Sequence, residues 1–310
     1  MRRFLTALLV AGVAGPMPAQ AQDVLRLKPS TKWFLDYAED SCRLARKFGE
    51  GDQQVTLFFD QFEPGDWFQV TLGGNVLRPK RTDSNRIGLM FRFGPNEAAD
   101  EIEANTGRMD DQRALIVLGA QRVVPLTEAE QAARKAAFES GLTPATLLPV
   151  EREREASVDW LELSGGLKND VVLETGPMDQ PLAALRKCSW DTVKLWGLDL
   201  AQQKNLTRKP QPKQGSKPWL TGDDYPRKMA WAGYEGIVNF RLLIDPTGKP
   251  ISCHIQTSTR PKEFDEAVCN AIMKRARFDP ALDAEGKPVT SFYRQTVTFR
   301  IESGHSRKSY

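Results

Sequence analysis

Between Ala201 and Pro218 the chain reads Ala-Gln-Gln-Lys-Asn-Leu-Thr-Arg-Lys-Pro-Gln-Pro-Lys-Gln-Gly-Ser-Lys-Pro, with five basic residues and no acidic ones. A stretch with so little apolar surface cannot join a core, and its prolines and like charges predict an extended, mobile linker. One continuous core through it is excluded. The 310 residues therefore divide into residues 22–200 and 219–310, each long enough to bury a core of its own. Residues 22–200 carry 22 basic and 29 acidic side chains, and residues 219–310 carry 14 and 11, so an acidic unit is tied to a mildly basic one. Five charges among polar residues suit a solvated linker, and no nucleic-acid partner is expected. With 40% hydrophobic and 27% charged residues, the composition excludes collagen-like, coiled-coil, disordered and polytopic membrane classes.

Residues 1–21 stand outside this scheme. Arg2-Arg3 precede an apolar run from Phe4 to Gly15, which ends at Pro16 and Pro18 before the small-x-small site Ala19-Gln20-Ala21. This is the pattern of a secretory signal peptide cleaved after Ala21. A membrane-spanning helix needs about 20 apolar residues, more than this run supplies, although an uncleaved inner-membrane anchor is the alternative. Export allows the four cysteines, Cys42, Cys188, Cys253 and Cys269, to form disulfides, for which three pairings exist. Their placement, two on each side of the linker, favours Cys42–Cys188 and Cys253–Cys269. No CxxC occurs, and His254 beside Cys253 does not complete a four-ligand set, so neither a metal nor a redox site is expected.

In the first unit, Ser41–Phe48, Val55–Phe62, Trp67–Leu72 and Ile87–Phe93 are short, partly alternating runs separated by glycine-rich turns. They predict an antiparallel meander. Arg113–Leu118 adds a strand. Glu128–Ser140 reads as a helix opened by the Thr127/Glu130 capping box and closed by Gly141. Trp160–Leu163 and Val171–Glu174 are further strands, and Pro181–Leu198 is a helix carrying Leu182, Leu185, Cys188, Val193 and Trp196. The expected class is α+β, with an amino-terminal domain that is mainly antiparallel β.

Catalytic chemistry is not legible in it. Asp36, Glu39, Asp40, Asp60 and Asp66 lie in or beside turns, where Asp serves as a local acceptor. No histidine precedes His254, so a Ser-His-Asp triad within this unit is impossible. Gly73-Gly74 and Ser164-Gly165-Gly166 lack the Lys-Ser/Thr of a phosphate loop. Trp33, Phe34, Trp67 and Phe68 read as core. No catalytic residue and no cofactor are expected.

In the second unit, Asp223-Asp224 precede Pro226 as the cap of a helix that stops at Gly233. Val238, Phe240, Leu242 and Ile244 alternate along a strand, and Asp245–Pro250 turns the chain into a second one. There Ile251, Cys253 and Ile255 share one face, and His254 points the other way, to solvent. Phe264–Ala276 is a helix with a stripe of Phe264, Val268, Ala271 and Ile272, flanked by Cys269 within reach of Cys253. Tyr293–Ile301 is the last strand. The order helix-strand-strand-helix-strand makes a small α+β domain.

Tyr225-Pro226, Gly236-x-Val238, Ile244-Asp245-x-x-Gly248, Ser258 with Phe264-Asp265, Ala276-Arg277-Phe278-x-Pro280-Ala281 and Gly286-x-Pro288-Val289 occur in this order. Over residues 220–302 the chain thus resembles the TonB C-terminal domain. The resemblance implies binding rather than catalysis. In that family an extended segment of an outer-membrane receptor adds as a strand beside the final strand, here Tyr293–Ile301, which makes Tyr293, Arg294, Thr296, Thr298 and Arg300 the candidate partner-binding residues. The partner is then a protein or peptide strand, the compartment is the periplasm, and a strand-exchanged homodimer is compatible with the family. A short linker and a cleavable leader depart from an energy-transducing TonB, so a soluble partner-binding protein is expected, with an inner-membrane-anchored transducer as the alternative.

Overall fold

The computed structural model describes residues 24–81, 85–108, 114–139, 147–213, 218–259 and 262–301. The expected leader and Gly141 lie outside the described residues. The protein is α+β. Its first unit is a ten-stranded sheet: β1 (Val24–Leu27), β2 (Phe34–Tyr37), β3 (Cys42–Phe48), β4 (Val55–Gln61), β5 (Phe68–Gly74), β6 (Arg86–Gly94), β7 (Asp100–Arg108), β8 (Ala114–Gln121), β9 (Trp160–Ser164) and β10 (Asp170–Leu173), in the order β1-β10-β9-β6-β7-β8-β5-β4-β3-β2. All neighbours are antiparallel except β1 and β10.

The sheet curls until its ends meet. Beyond β1, Ser30 N–H donates to the Lys47 carbonyl (2.9 Å) and Gly49 N–H to the Lys28 carbonyl (2.8 Å), so residues 24–37 pair with β10 first and with β3 afterwards. Closure of this kind satisfies edges that would otherwise be open to other chains. Alternation sends Leu44, Phe48, Leu57, Phe59, Val70, Leu72, Leu89, Phe93, Ile116 and Leu161 into one buried cluster. Phe59, Phe68 and Phe93 meet there with ring centroids 4.8 to 6.2 Å apart.

The expected meander holds for β3 to β5, with the unexpected β2 added beside β3, and then breaks: β5 pairs with β8, and β6 pairs with β7 and β9. The interposed β7, Asp-Glu-Ile-Glu-Ala-Asn-Thr-Gly-Arg, is polar because most of its side chains are not buried. Helix α1 (Glu128–Glu139) has the expected capping box, with Glu130 N–H donating to Thr127 Oγ1 and Thr127 N–H to Glu130 Oε2. After α2 (Arg152–Ala156), helix α3 (Asp179–Leu195) packs on β2, β3 and β4 through Leu182, Leu185 and Cys188, and Cys188 is disulfide-bonded to Cys42.

The segment from Ala201 onward is not a free linker where it is described. Helix α4 (Leu200–Lys204) is capped by Asp199, whose Oδ1 accepts from Gln202 N–H, and β11 (Gln211–Pro212) pairs with β14 (Phe278–Asp279). Arg208 donates through Nε and Nη2 to the Pro280 carbonyl. The composition contained no apolar signal for this docking, because the segment is held by its backbone and by polar side chains, Gln203, Thr207 and Arg208, rather than by a buried stripe.

The second unit follows the expected order. Thr221 and Asp224 form a capping box around a single 3-10 turn, and α5 (Arg227–Trp231) begins after Pro226. Asp224 thus caps the turn before the helix rather than the helix. A three-stranded sheet, β13-β12-β17, is formed by β12 (Gly236–Ile244), β13 (Pro250–Ser258) and β17 (Ser291–Phe299), with β15 (Ala281–Leu282) and β16 (Pro288–Val289) as a small hairpin beside it. Helix α6 (Lys262–Arg275) covers one face with Phe264, Val268 and Ile272 against Val238, Phe240 and Leu242, and Cys269 is joined to Cys253.

Candidate partner-binding site

The three-stranded sheet has two edges, and they differ. Between β12 and β13 the register shifts twice, at Asn239/Phe240 and at Leu243/Ile244. Bulges of this kind twist an edge away from further pairing. Between β12 and β17 nine pairs run from Gly236↔Phe299 to Ile244↔Ser291 without a shift. Strand β17 is therefore the regular edge. Near its beginning, Gln203 of α4 donates to the Thr290 carbonyl (3.0 Å) and accepts from Ser291 Oγ (2.6 Å), which leaves the stretch from Tyr293 to Phe299 beyond that contact.

The candidate side chains divide between the two faces of the strand, as a period of two requires. Tyr293 lies on the α6 side, half-buried between Trp219 (centroids 5.8 Å apart) and Phe278 (4.8 Å). Burial, reinforced by the charge of Glu63, pushes its phenol up to about 12. Arg294 and Thr296 project from the opposite face. Arg294 Nη2 (2.7 Å) and Thr296 Oγ1 (2.5 Å) both donate to Asn239 Oδ1, and Asn239 is buried. Thr298 and Arg300 are exposed.

The first unit covers part of that opposite face: His254, expected to face water and still 44% exposed at its side chain, lies with Nε2 2.5 Å from Asp40 Oδ2, while Thr296 and Thr298 remain exposed. Arg241 Nη2 donates to Asp40 Oδ1 (3.2 Å), and Gln256 Nε2 donates to the carbonyls of Asp40 and Phe62. The Arg294 guanidinium stands 5.1 Å from the Phe62 ring centre, and burial lowers its pKa against the opposing pull of Glu63. A small apolar cluster completes the contact. Trp196, Val193 and Leu198 pack with Phe292, Trp196 meets Phe292 edge-on at 5.0 Å, and Arg241 stacks 4.3 Å from the Trp196 ring centre. Burial lowers the Arg241 pKa, with Asp40 pulling the other way.

The turns and charges on the non-core face of β12 and β13 read as solvated polar residues. The signal available in the sequence was Leu243 and Phe292, apolar residues on the polar side of their strands. Near the α5 entrance, Arg275 donates to both Asp224 oxygens, and this holds the Asp224 carboxyl well below the usual carboxylate range.

No described helix is long and apolar enough to cross a membrane, and no group of three or more His, Cys, Asp or Glu side chains among the described residues could hold a metal ion. No curated protein matches the chain. A solution structure of the Pseudomonas aeruginosa TonB C-terminal domain is 28% identical, covering 30% of this chain and 88% of that one with a TM-score of 0.25. Residues 222–301, which hold α5, the three-stranded sheet and α6, match the family model of the Gram-negative bacterial TonB protein C-terminal.

Proposed function

We propose that the chain is an exported periplasmic protein that binds a partner protein by strand addition along β17, in connection with TonB-dependent transport across the outer membrane. The observation that carries this reading is the contrast between the two edges of the small sheet, bulged at β13 and unshifted over nine pairs at β17. An unpaired run of N–H and C=O groups is a template for an incoming strand, and pockets beside it select alternate side chains. The match of residues 222–301 to the TonB C-terminal model supports the same edge. Thr296, Thr298 and Arg300 then flank the added strand, while Tyr293 and Arg294 hold β17 in place from its two faces. The first unit acts as a rigid mount.

Hydrogen exchange of the full-length mature protein, with and without a synthetic peptide of the amino-terminal segment of a TonB-dependent receptor from the same cell, tests the site. Protection gained between Tyr293 and Phe299 is expected; protection confined elsewhere overturns it. Intact mass of native protein after separating periplasm from inner membrane tests the compartment. Soluble protein beginning at Gln22 is expected, and membrane-bound protein retaining Met1–Ala21 replaces this reading with the anchored energy transducer.

A further inference from the structure

Trp231, the last residue of α5, is 86% exposed. Tyr234 and Ile301 are each 42% exposed, and the chain gathers all three at one end of the small sheet. Continuing the β12–β17 register beyond Gly236↔Phe299 sets Tyr234 opposite Ile301, and Ile301 N–H donates to Glu235 Oε1 (2.9 Å). Tyr234 N–H donates back to the Met229 carbonyl (2.9 Å), and the Tyr225 hydroxyl donates to the Tyr234 carbonyl (2.5 Å). The Tyr225 ring is itself wedged against Phe264 and Phe299, with centroids 5.7 and 5.2 Å away. This tip is therefore fixed to the core of the second unit. It is also convex: Gly233 makes the turn at φ +72°, and a Cβ placed on it would meet nothing within 4 Å. A convex turn offers an incoming peptide no pocket.

The charges beside Trp231 have one sign. Arg227 and Lys228 precede it by four and three residues on α5, which puts them on its side of the helix, and both are exposed. Glu235 is the one acidic residue between Tyr225 and Phe240, and its carboxylate is turned to Ile301 N–H. Before the helix, Asp224 is held by Arg275, and Asp223 acts on the same guanidinium. Single apolar residues on a surface need no explanation, but an apolar tip with two cations beside it marks an interaction site. Trp and Tyr settle at the headgroup level of a bilayer, where each nearby Lys or Arg adds attraction to anionic headgroups. We propose that the turn between α5 and β12 is a peripheral docking surface for an anionic phospholipid membrane, with Trp231 entering the interface and Arg227 and Lys228 on the headgroup phosphates. This surface does not depend on strand addition along β17.

The test is co-sedimentation of the full-length mature protein with vesicles of phosphatidylcholine alone and of phosphatidylcholine mixed with an equal part of phosphatidylglycerol. Binding to the anionic vesicles should be tighter by about tenfold or more, the effect of two basic side chains at a charged surface. Trp231→Ser should weaken that binding by about tenfold through lost apolar contact, and at so exposed a residue it leaves folding intact. Arg227→Gln combined with Lys228→Gln should remove most of the difference between the two vesicle types. No sedimentation up to about 10 mM lipid, weaker than even a marginal single-chain lipid anchor, overturns the proposal. Equal binding to both vesicle types, or binding unchanged by Trp231→Ser, overturns it as well. Self-association or receptor-peptide binding that Trp231→Ser abolishes, without vesicle binding, would overturn it by giving the tip a protein occupant.

Discussion

Gly248 shows how one residue couples a turn to the core. Asp245 Oδ1 accepts from the N–H groups of Thr247 and Lys249, which closes the turn between β12 and β13, and Gly248 sits in it at φ +81°. Its carbonyl accepts from Phe278 N–H (2.8 Å), and a Cβ placed on it would lie 1.9 Å from the Phe278 carbonyl oxygen. Left-handed backbone and a clash with another backbone cannot both relax by a side-chain shift. Gly248→Ala should cost at least about 2 kcal/mol in urea unfolding; a loss below about 0.5 kcal/mol, the scale of an ordinary surface substitution, would mean the turn rearranges freely. Asp224 gives a second residue-scale test. Its carboxyl is depressed chiefly by the hydrogen bonds from Arg275, so the folded state binds its proton less readily than the unfolded chain. The stabilisation is present above the unfolded value, near pH 4, and is lost as pH falls below it. Stability measured from pH 7 to pH 3 should therefore fall less steeply in Asp224→Asn than in the natural protein, and parallel curves would exclude this linkage.

At the scale of elements, the two disulfides staple different kinds of closure. Cys253–Cys269 spans 16 residues and pins α6 to β13, whereas Cys42–Cys188 spans 146 residues and pins α3 to the strand on which the curled sheet closes. Chain-entropy arguments assign about 3 kcal/mol to the short loop and more than about 4 kcal/mol to the long one. Double serine variants compared by urea unfolding should follow that order, and equal losses would show that unfolded-state entropy is not what separates them. The same elements show what was legible in sequence. Strands with inward apolar alternation, such as Val55-x-Leu57-x-Phe59 and Val238-x-Phe240-x-Leu242, announced themselves because their core-facing side chains are all apolar and fully buried. Strand β7 did not, because its side chains are mostly outside, and β2, with Phe34 65% and Tyr37 56% exposed, offered no pattern to read. The order of β5 to β9 was hidden for another reason: pairing between distant strands is settled by closure of the whole sheet. Strand β17 and its two faces were visible from alternation and resemblance, but the cover that the first unit places over part of the outer face is encoded by no local pattern in residues 291–299.

At the scale of the molecule, the junction between the two units is a small core of its own. Trp196, 8% exposed, bridges α3 to Phe292, and the Arg241 guanidinium over its ring is held in turn by Asp40. Arg241 is only 8% exposed at its side chain, and its Nε already lacks a partner, so its neutralisation depends on Asp40 from the other unit. A buried ion pair broken from one side leaves a charge that neither domain can accommodate alone. The two units should consequently unfold together in the natural protein, with urea transitions read by hydrogen exchange in β4 and in β17 coinciding. Trp196→Ala removes the apolar bridge and exposes Arg241, at a cost of about 3 to 5 kcal/mol if the junction is a true core. The expected outcome is that the transition of β17 moves to lower urea than that of β4, because the three-stranded sheet loses cover on one face while the curled sheet retains its own core. Coincident transitions with a loss below about 1 kcal/mol, far short of a core truncation, would show instead that the junction is a surface contact, and that the β17 edge is presented by a tethered domain rather than a fixed one.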